Sequence, residues 1–197
     1  DKSYKLMYET YEKIFTRLGL NYKIVLADTG AIGGSGSHQF MAISEVGESD
    51  IIYCDECGYA ADQEKAESVA EDTNSTDEEK PLNKVHTPKH KTIEEICKYL
   101  NITPKQVVKS LIYYNIANNS LVMVLVRGDR DVNEIKVINA LGIAEHELVL
   151  ASNEQISSIG SVEGFVGPVN LDIETLVDEE VTKMKNFVVG ANESDYH

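Results

Sequence analysis

Apolar residues recur at helical spacing through residues 4–18, at Leu6, Met7, Ile14, Phe15 and Leu18, and Gly19 follows as a stop. Three short apolar runs come next: Ile24–Leu26, a run beginning at His38, and Asp50–Tyr53, which read as strands. Tyr59 to Ala70 predicts a short helix. From Ser68 to Pro81 the chain is polar, acidic and without period, the signature of a linker.

Beyond the linker, short helices alternate with strands. Thr92-Ile-Glu-Glu95 is a capping box opening a helix with Ile93, Ile96, Cys97 and Leu100 on one side, and Thr103-Pro104-Lys105-Gln106 is a second. Ser110–Ile116 and Leu121–Val126 predict strands around the turn signal Asn118-Asn119. Asp131 is the expected cap of a helix carrying Ile135, Ile138 and Leu141 and closed by Gly142. Glu147–Ala151 predicts a strand, and Ser152 opens a further helix. Ile173–Val177 and Asn186–Val189 predict strands separated by a helical turn capped by Asp178. The pattern is α/β (α+β): a mixed, barrel-like sheet with short helices packed outside, preceded by a small piece of helix plus antiparallel strands.

Composition narrows the setting. No apolar run is long enough to cross a bilayer and no signal peptide is present, so the expectation is a cytoplasmic protein with no membrane partner. The three cysteines argue against a disulfide framework. Both ends, Asp1 and His197, read as cuts in a longer polypeptide. The formal net charge of −15 argues against nucleic acid. Its distribution weakens that objection: acid concentrates between Glu45 and Glu79, whereas Lys80, Lys84, Lys89, Lys91, Lys98, Lys105 and Lys109 face only Glu94 and Glu95. A local basic face can hold phosphates within a Debye length; a solvated surface without a partner explains the same residues.

The richest stretch is Gly30 to Phe40, with glycines at 30, 33, 34 and 36 followed by Ser37 and His38. It admits three readings: phosphate loop, floor of a substrate pocket, or plain hairpin. Ser37-His38 stands where a phosphate loop needs Lys then Ser or Thr, and a strand rather than a helix follows. Cys54 and Cys57 have metal spacing, but zinc takes four ligands and no second such pair exists. Arg127-Gly-Asp129 reads as a strand-to-helix turn. Lys109, set among apolar residues, either snorkels outward or enters a cavity to meet an anion or carbonyl. Gly164-Phe-Val-Gly167-Pro168 is a tight loop able to offer N–H groups to an oxyanion or water.

Taken together, the chain resembles bacterial prolyl-tRNA synthetases over essentially its whole length. The resemblance is carried by Ala27-Asp-Thr-Gly-Ala-Ile-Gly-Gly-Ser-Gly-Ser-His-Gln-Phe40, Tyr53-Cys-Asp-Glu-Cys57 with Tyr59-Ala60-Ala61, and Thr87-Pro88 with Lys91-Thr92-Ile93. Val108-Lys109-Ser110-Leu111, Arg127-Gly-Asp129 with Asn133-Glu134, Gly164 to Pro168, and Gly190-Ala-Asn192 through His197 complete it. It implies that residues 1–70 are a segment of a class II catalytic core, 71–84 an acidic linker, and 85–197 an editing insertion similar to YbaK-type deacylases. The implied reaction of the insertion is hydrolysis of the ester in alanyl-tRNA(Pro), because a pocket made for proline cannot strongly exclude the smaller alanine: a lost methylene is worth only about 1–3 kcal/mol.

By position in the family, Lys109 would bind the terminal adenosine or the ester carbonyl. Gly164, Gly167 and Pro168 would shape the loop that places water. His197 would size the pocket, and Thr87 and Asp178 would contact substrate. Asp178 is also a plain helix cap. The substrate's 2′-hydroxyl would assist the water, so that no protein base, metal or cofactor is required for editing. Ser37 and His38 would belong to the floor of a prolyl pocket whose ATP, magnesium, tRNA(Pro) and homodimeric setting are those of the parent enzyme. Two departures stand out. Gln39 replaces a glutamate, and Ser110 replaces a threonine. The arginine of the second class II motif and the whole third motif are absent, which puts ATP-dependent prolyl transfer beyond this segment. A free-standing trans-editing deacylase and a non-catalytic tRNA-binding module are the alternatives.

Overall fold

The computed structural model describes residues 2–30, 33–34, 36–70 and 78–197. Ala31, Ile32, Ser35 and the acidic segment 71–77, the centre of the predicted linker, lie outside the described residues. The chain divides into two compact units, Asp1–Ser68 and Val69–His197. Among the described residues no helix is long and apolar enough to cross a membrane.

The first unit opens with α1 (Lys2–Arg17), followed by β1 (Tyr22–Ala27), β2 (Ser37–Ala42), β3 (Ile51–Tyr53) and β4 (Ala60–Asp62). The sheet order is β2-β1-β4-β3, with β1 and β4 parallel and the other pairs antiparallel. The apolar stripe of α1 is aromatic: Tyr8, Tyr11 and Phe15 meet Phe40 of β2 at ring-centroid distances of 5.4, 5.6 and 5.4 Å. The predicted helix from Tyr59 is instead β4. Leu26 pairs with Ala61, and Ala60–Asp62 pairs with Ile51–Tyr53, so the ladder outweighs the helix preference of two alanines. Asp62 then turns the chain by accepting from the Lys65 amide at 2.8 Å.

The second unit contains α2 (Ile93–Leu100), a 3₁₀ turn at Pro104–Gln106, β5 (Val108–Asn115), β6 (Ser120–Arg127), α3 (Glu134–Leu141), β7 (Leu148–Leu150), α4 (Asn153–Ser158), β8 (Glu174–Val177) and α5 (Glu179–Thr182). Its sheet runs β7-β5-β6-β8, with β6 and β8 parallel and the other pairs antiparallel. Strand alternation splits the core into two layers. Val108, Ile112, Met123 and Leu125 pack with Ile156 of α4 and Val181 of α5 on one face. Tyr113, Val124 and Val126 pack with Val137 and Ile138 of α3 on the other. The fold is the mixed α+β arrangement expected, with short helices covering the sheet.

Capping residues account for most helix boundaries. Thr92 forms the full capping box with Glu95, and Ser152 forms one with Gln155. Asp131 is not the cap of α3. Asn133 takes that place, accepting from the Lys136 amide at 3.2 Å, because Asp131 is drawn into an ion pair with Lys109. The strand predicted at Asn186–Val189 reduces to a single parallel bridge, Val107 to Val188. Asn186 is in the left-handed region (φ 54°) and bonds to Glu78 and Lys80.

Arg127-Gly-Asp129 has a structural role. Arg127 is 3% exposed and ion-paired to Asp129 at 2.5 Å and to Glu180 at 3.3 Å. A Cβ on Gly128 would sit 2.5 Å from the Pro104 carbonyl, so only glycine fits between the 3₁₀ turn and the end of β6.

Candidate functional site

The site is built from three segments far apart in sequence. Residues 85–87 run antiparallel to the C-terminal residues. The Val85 amide donates to the His197 carbonyl at 2.7 Å, the His197 amide returns to Val85 at 3.0 Å, and the Thr87 amide donates to the Asp195 carbonyl at 2.8 Å. This pairing places the Thr87 hydroxyl 2.7 Å from His197 Nδ1, with both residues buried. Burial, and then the nearby His90, hold the imidazole below its ordinary pKa, so it is neutral at pH 7. With Nδ1 engaged by Thr87, Nε2 is the nitrogen left for a ligand.

The second segment is the Gly164–Pro168 loop. Phe165, 1% exposed, lays its ring 5.4 Å from that of His197. Gly164 has φ 84°, and the Lys91 stem covers it so closely that an added Cβ would meet Lys91 Cδ at 2.9 Å. Gly167 is pressed against the third segment, where an added Cβ would fall 1.8 Å from the Gly190 carbonyl oxygen. Two loop amides are already used: Phe165 N donates to the Val162 carbonyl and Gly167 N to Asn192 Oδ1. Of the loop's amides among the described residues, those of Gly164 and Val166 have no partner.

Beside these segments lies a cavity of ≈ 460 Å³ lined by residues including Lys84, Ile159, Val169, Leu171, Val189 and His197. Its walls mix apolar side chains with polar ones, Asn83, Asn170 and Asn192 among them. Lys84 sits 4.6 Å from the Tyr196 ring centroid and pairs with Glu193, so cationic charge stands at the rim.

The structure thus brings together Thr87, His197, Gly164, Gly167 and Pro168. It does not bring Lys109 to them. Lys109 shares its sheet face with Leu111, Tyr113 and Val126, whereas Val166 of the loop packs on the opposite face. The Lys109 ammonium donates to the Arg130 carbonyl at 2.6 Å and to Asp131 at 3.1 Å. Asp178 is the N-cap of α5, accepting from Glu180 N at 2.9 Å. Ser37 and His38 lie on β2 of the first unit, paired with Ala27 and Leu26, and His38 Nδ1 bonds the Tyr4 hydroxyl at 2.7 Å. The cysteine pair sits on a turn in which the Gly58 amide bonds the Cys54 carbonyl; backbone N–H groups of Cys57 and Glu56 lower the Cys54 pKa. Among the described residues no group of three or more His, Cys, Asp or Glu could hold a metal.

Sequence reading passed over Lys91 and Asn192 as individual residues, although both lie inside motifs it singled out. Asn192 is signalled only by its place two residues after Gly190, and nothing in the sequence links Lys91 to Gly164, 73 positions away.

Comparison with known proteins places the chain in a family. The chain is 53% identical over 198 residues to a proline–tRNA ligase of Caldicellulosiruptor saccharolyticus, covering 100% of this chain and 34% of that protein. It is 50% identical over 200 residues to a proline–tRNA ligase of Thermoanaerobacter sp. (strain X514), covering 100% of this chain and 35% of that protein. The chain therefore spans about a third of the length of the curated relatives it matches. Among solved structures, that of a candidate trans-editing enzyme for prolyl tRNA synthetase shares the fold, with a TM-score of 0.51 and 22% identity over 58% of this chain and 73% of that one. Residues 87–197 match the aminoacyl-tRNA editing domain, and the chain belongs to that family.

Proposed function

We propose that the second unit hydrolyses the ester of alanyl-tRNA(Pro), clearing alanine that a proline pocket admits in error. The observation that carries this reading is the buried Thr87–His197 pair facing the Gly164–Pro168 loop beside a cavity of ≈ 460 Å³. In the reaction a water oxygen bonds to the ester carbonyl carbon. The carbonyl oxygen gains negative charge and accepts from the Gly164 and Val166 amides. The bond to the ribose 3′-oxygen then breaks, and the water's proton passes to that oxygen through the adjacent 2′-hydroxyl. Preorganised backbone donors at a developing oxyanion are worth about 2.7–4 kcal/mol each in other hydrolases.

His197, uncharged and held by Thr87, closes the cavity against the larger proline ring. Lys84 and Lys91 stand where the 3′-terminal phosphates would pass. Lys109, on the sheet face opposite the loop, would meet the terminal adenosine or the ester carbonyl only by exchanging its bonds to the Arg130 carbonyl and Asp131 for a ligand that reaches round the end of β5; Asp178 would contact substrate from the end of β8. We infer further that the full-length protein is a cytoplasmic homodimer that joins proline to tRNA(Pro), with Ser37 and His38 at its prolyl pocket. ATP and magnesium would serve that reaction. The described residues do not fit either: the glycine-rich turn leads into β2 rather than into a helix N-terminus, and no acidic or imidazole cluster suits a metal.

The test is deacylation of alanyl- and prolyl-tRNA(Pro) side by side. The expected result is loss of the alanyl ester with the prolyl ester spared, and a raised prolyl rate in His197→Ala. A chain that hydrolyses neither ester, or a His197→Ala variant with unchanged preference, would overturn the reading.

A further inference from the structure

Asn192 makes an unusual number of bonds to one loop. Its Oδ1 accepts from Ser161 Oγ at 2.8 Å and from the Gly167 amide at 2.8 Å. Its Nδ2 donates to the Gly167 carbonyl at 3.0 Å and to the Val169 carbonyl at 2.9 Å. Its backbone amide donates to the Phe165 carbonyl at 2.8 Å. The side chain thus uses two acceptor sites and both donor hydrogens.

No other residue type supplies this set. Aspartate offers acceptors only and would face the Gly167 and Val169 carbonyls with negative charge. Glutamine carries the same groups on a stem one methylene longer, which displaces them from Ser161, Gly167 and Val169. The position is also left-handed (φ 58°), a conformation asparagine tolerates.

The bonds have a direction of action. Asn192 grips both polar groups of Gly167 and the carbonyl of Phe165, while the Gly190 backbone abuts the same loop. Phe165 in turn carries the ring beside His197, and the two unpartnered amides, Gly164 and Val166, flank Phe165 on either side. Register between loop and tail therefore sets the distance from the amides to the imidazole.

We propose that Asn192 is the positioning residue that fixes this distance, and with it the discrimination between alanyl and prolyl esters. The proposal rests on the reading of the site given above. Asn192 also lines the cavity, but its side-chain oxygen and nitrogen are spent on Ser161, Gly167 and Val169, so it acts through the loop rather than on the ester.

The experiment uses the whole chain and compares wild type with Asn192→Asp, which preserves volume, and Ser161→Ala, which removes a single bond. Single-turnover hydrolysis of alanyl- and prolyl-tRNA(Pro) gives rate and half-saturation separately. A misplacement of about 1 Å costs up to roughly a hundredfold in rate. The expected result for Asn192→Asp is a tenfold to hundredfold slower alanyl rate, half-saturation within about threefold, and a smaller alanyl-to-prolyl ratio. Ser161→Ala is expected to shift the ratio in the same direction by less. If Asn192→Asp does not fold, Ser161→Ala carries the test alone.

A second readout needs no activity. The His197 imidazole, followed by NMR titration, is expected to move up toward its ordinary value of about 6.5 in Asn192→Ala, as Phe165 loosens over it. A folded variant with wild-type ratio and wild-type His197 titration overturns the role of Asn192 while leaving the site reading intact. A wild type that hydrolyses neither ester overturns the site reading, and the NMR shift then decides the structural half of the proposal.

Discussion

Gly167→Ala is the sharpest probe of the loop–tail interlock. The new Cβ would lie 1.8 Å from the Gly190 carbonyl oxygen and 2.8 Å from its carbon. A carbon–oxygen contact normally begins near 3.3 Å, so the two backbones must part by about 1.5 Å. Neither atom is at the end of a flexible side chain, and the parting breaks the Asn192 bonds to Gly167 as well. Overpacking of this kind costs about 1–3 kcal/mol, and one lost bond adds about 1 kcal/mol. The suitable control is Gly142→Ala, also a glycine in a packed unit, with φ 66° but nothing within 4 Å of the new Cβ. That substitution carries only backbone strain, about 1–2 kcal/mol. Amide hydrogen exchange at Val85, Thr87 and His197 reads the site directly, since these amides are bonded across it. Protection there is expected to fall by roughly thirtyfold to a thousandfold in Gly167→Ala, at 1.4 kcal/mol per tenfold, and by no more than about thirtyfold in Gly142→Ala. Equal losses in the two variants would refute the claim that loop and tail meet backbone to backbone.

Other outcomes follow from the same geometry. Thr87→Val strands His197 Nδ1 in a buried site and is expected to cost about 1–3 kcal/mol in urea unfolding, with His197→Ala relieving part of that cost in the double variant. Because the folded pKa of His197 is depressed, the unfolded chain binds its proton first: stability is full above pH ~6.5 and falls as pH drops toward the folded pKa, a slope that His197→Gln should remove. The hydrogen-bonded Arg130 guanidinium, and then the Arg127 charge, hold Glu180 below the usual carboxylate range, so its contribution is full above pH ~4.5 and is lost as pH falls from there through the lower folded value; Glu180→Gln should cost about 1.5–3 kcal/mol at neutral pH and less in acid. Met123→Ala, at a fully buried position, should lower stability by about 2–5 kcal/mol without changing the alanyl-to-prolyl preference.

The fold was legible where local rules decide. Capping boxes at Thr92 and Ser152, the Gly142 stop and the alternation of β5 and β6 all follow from nearest neighbours. Readings failed where a distant partner intervened. Ala60–Asp62 became a strand because β1 and β3 recruited it, and Asp131 lost the cap to Asn133 because Lys109, on a neighbouring strand, claimed its carboxylate. The candidate site shows the same division. The Gly164–Pro168 loop stands out by its two glycines and proline, and Thr87 and His197 enter through the family resemblance, but no spacing rule announces that the hydroxyl and imidazole meet. Lys109 sits among apolar residues in a way that suits either side of a sheet, and only the register with β6 places it on the α3 face. Asn192 looked like one polar residue of a tail, since a side chain's four partners at Ser161, Gly167 and Val169 are invisible without the loop's path.

The bond between Thr87 and His197 joins residues 110 positions apart. Closing so long a loop costs about 4 kcal/mol of chain entropy before any contact repays it, against well under half of that for the short turn between β5 and β6. The hairpin can therefore form early, while the imidazole reaches its hydroxyl only after the intervening strands and helices have brought the two ends together. The pair is thus a late, long-range closure: it depends on both ends of the second unit being in place, whereas the β5–β6 hairpin needs only its own turn.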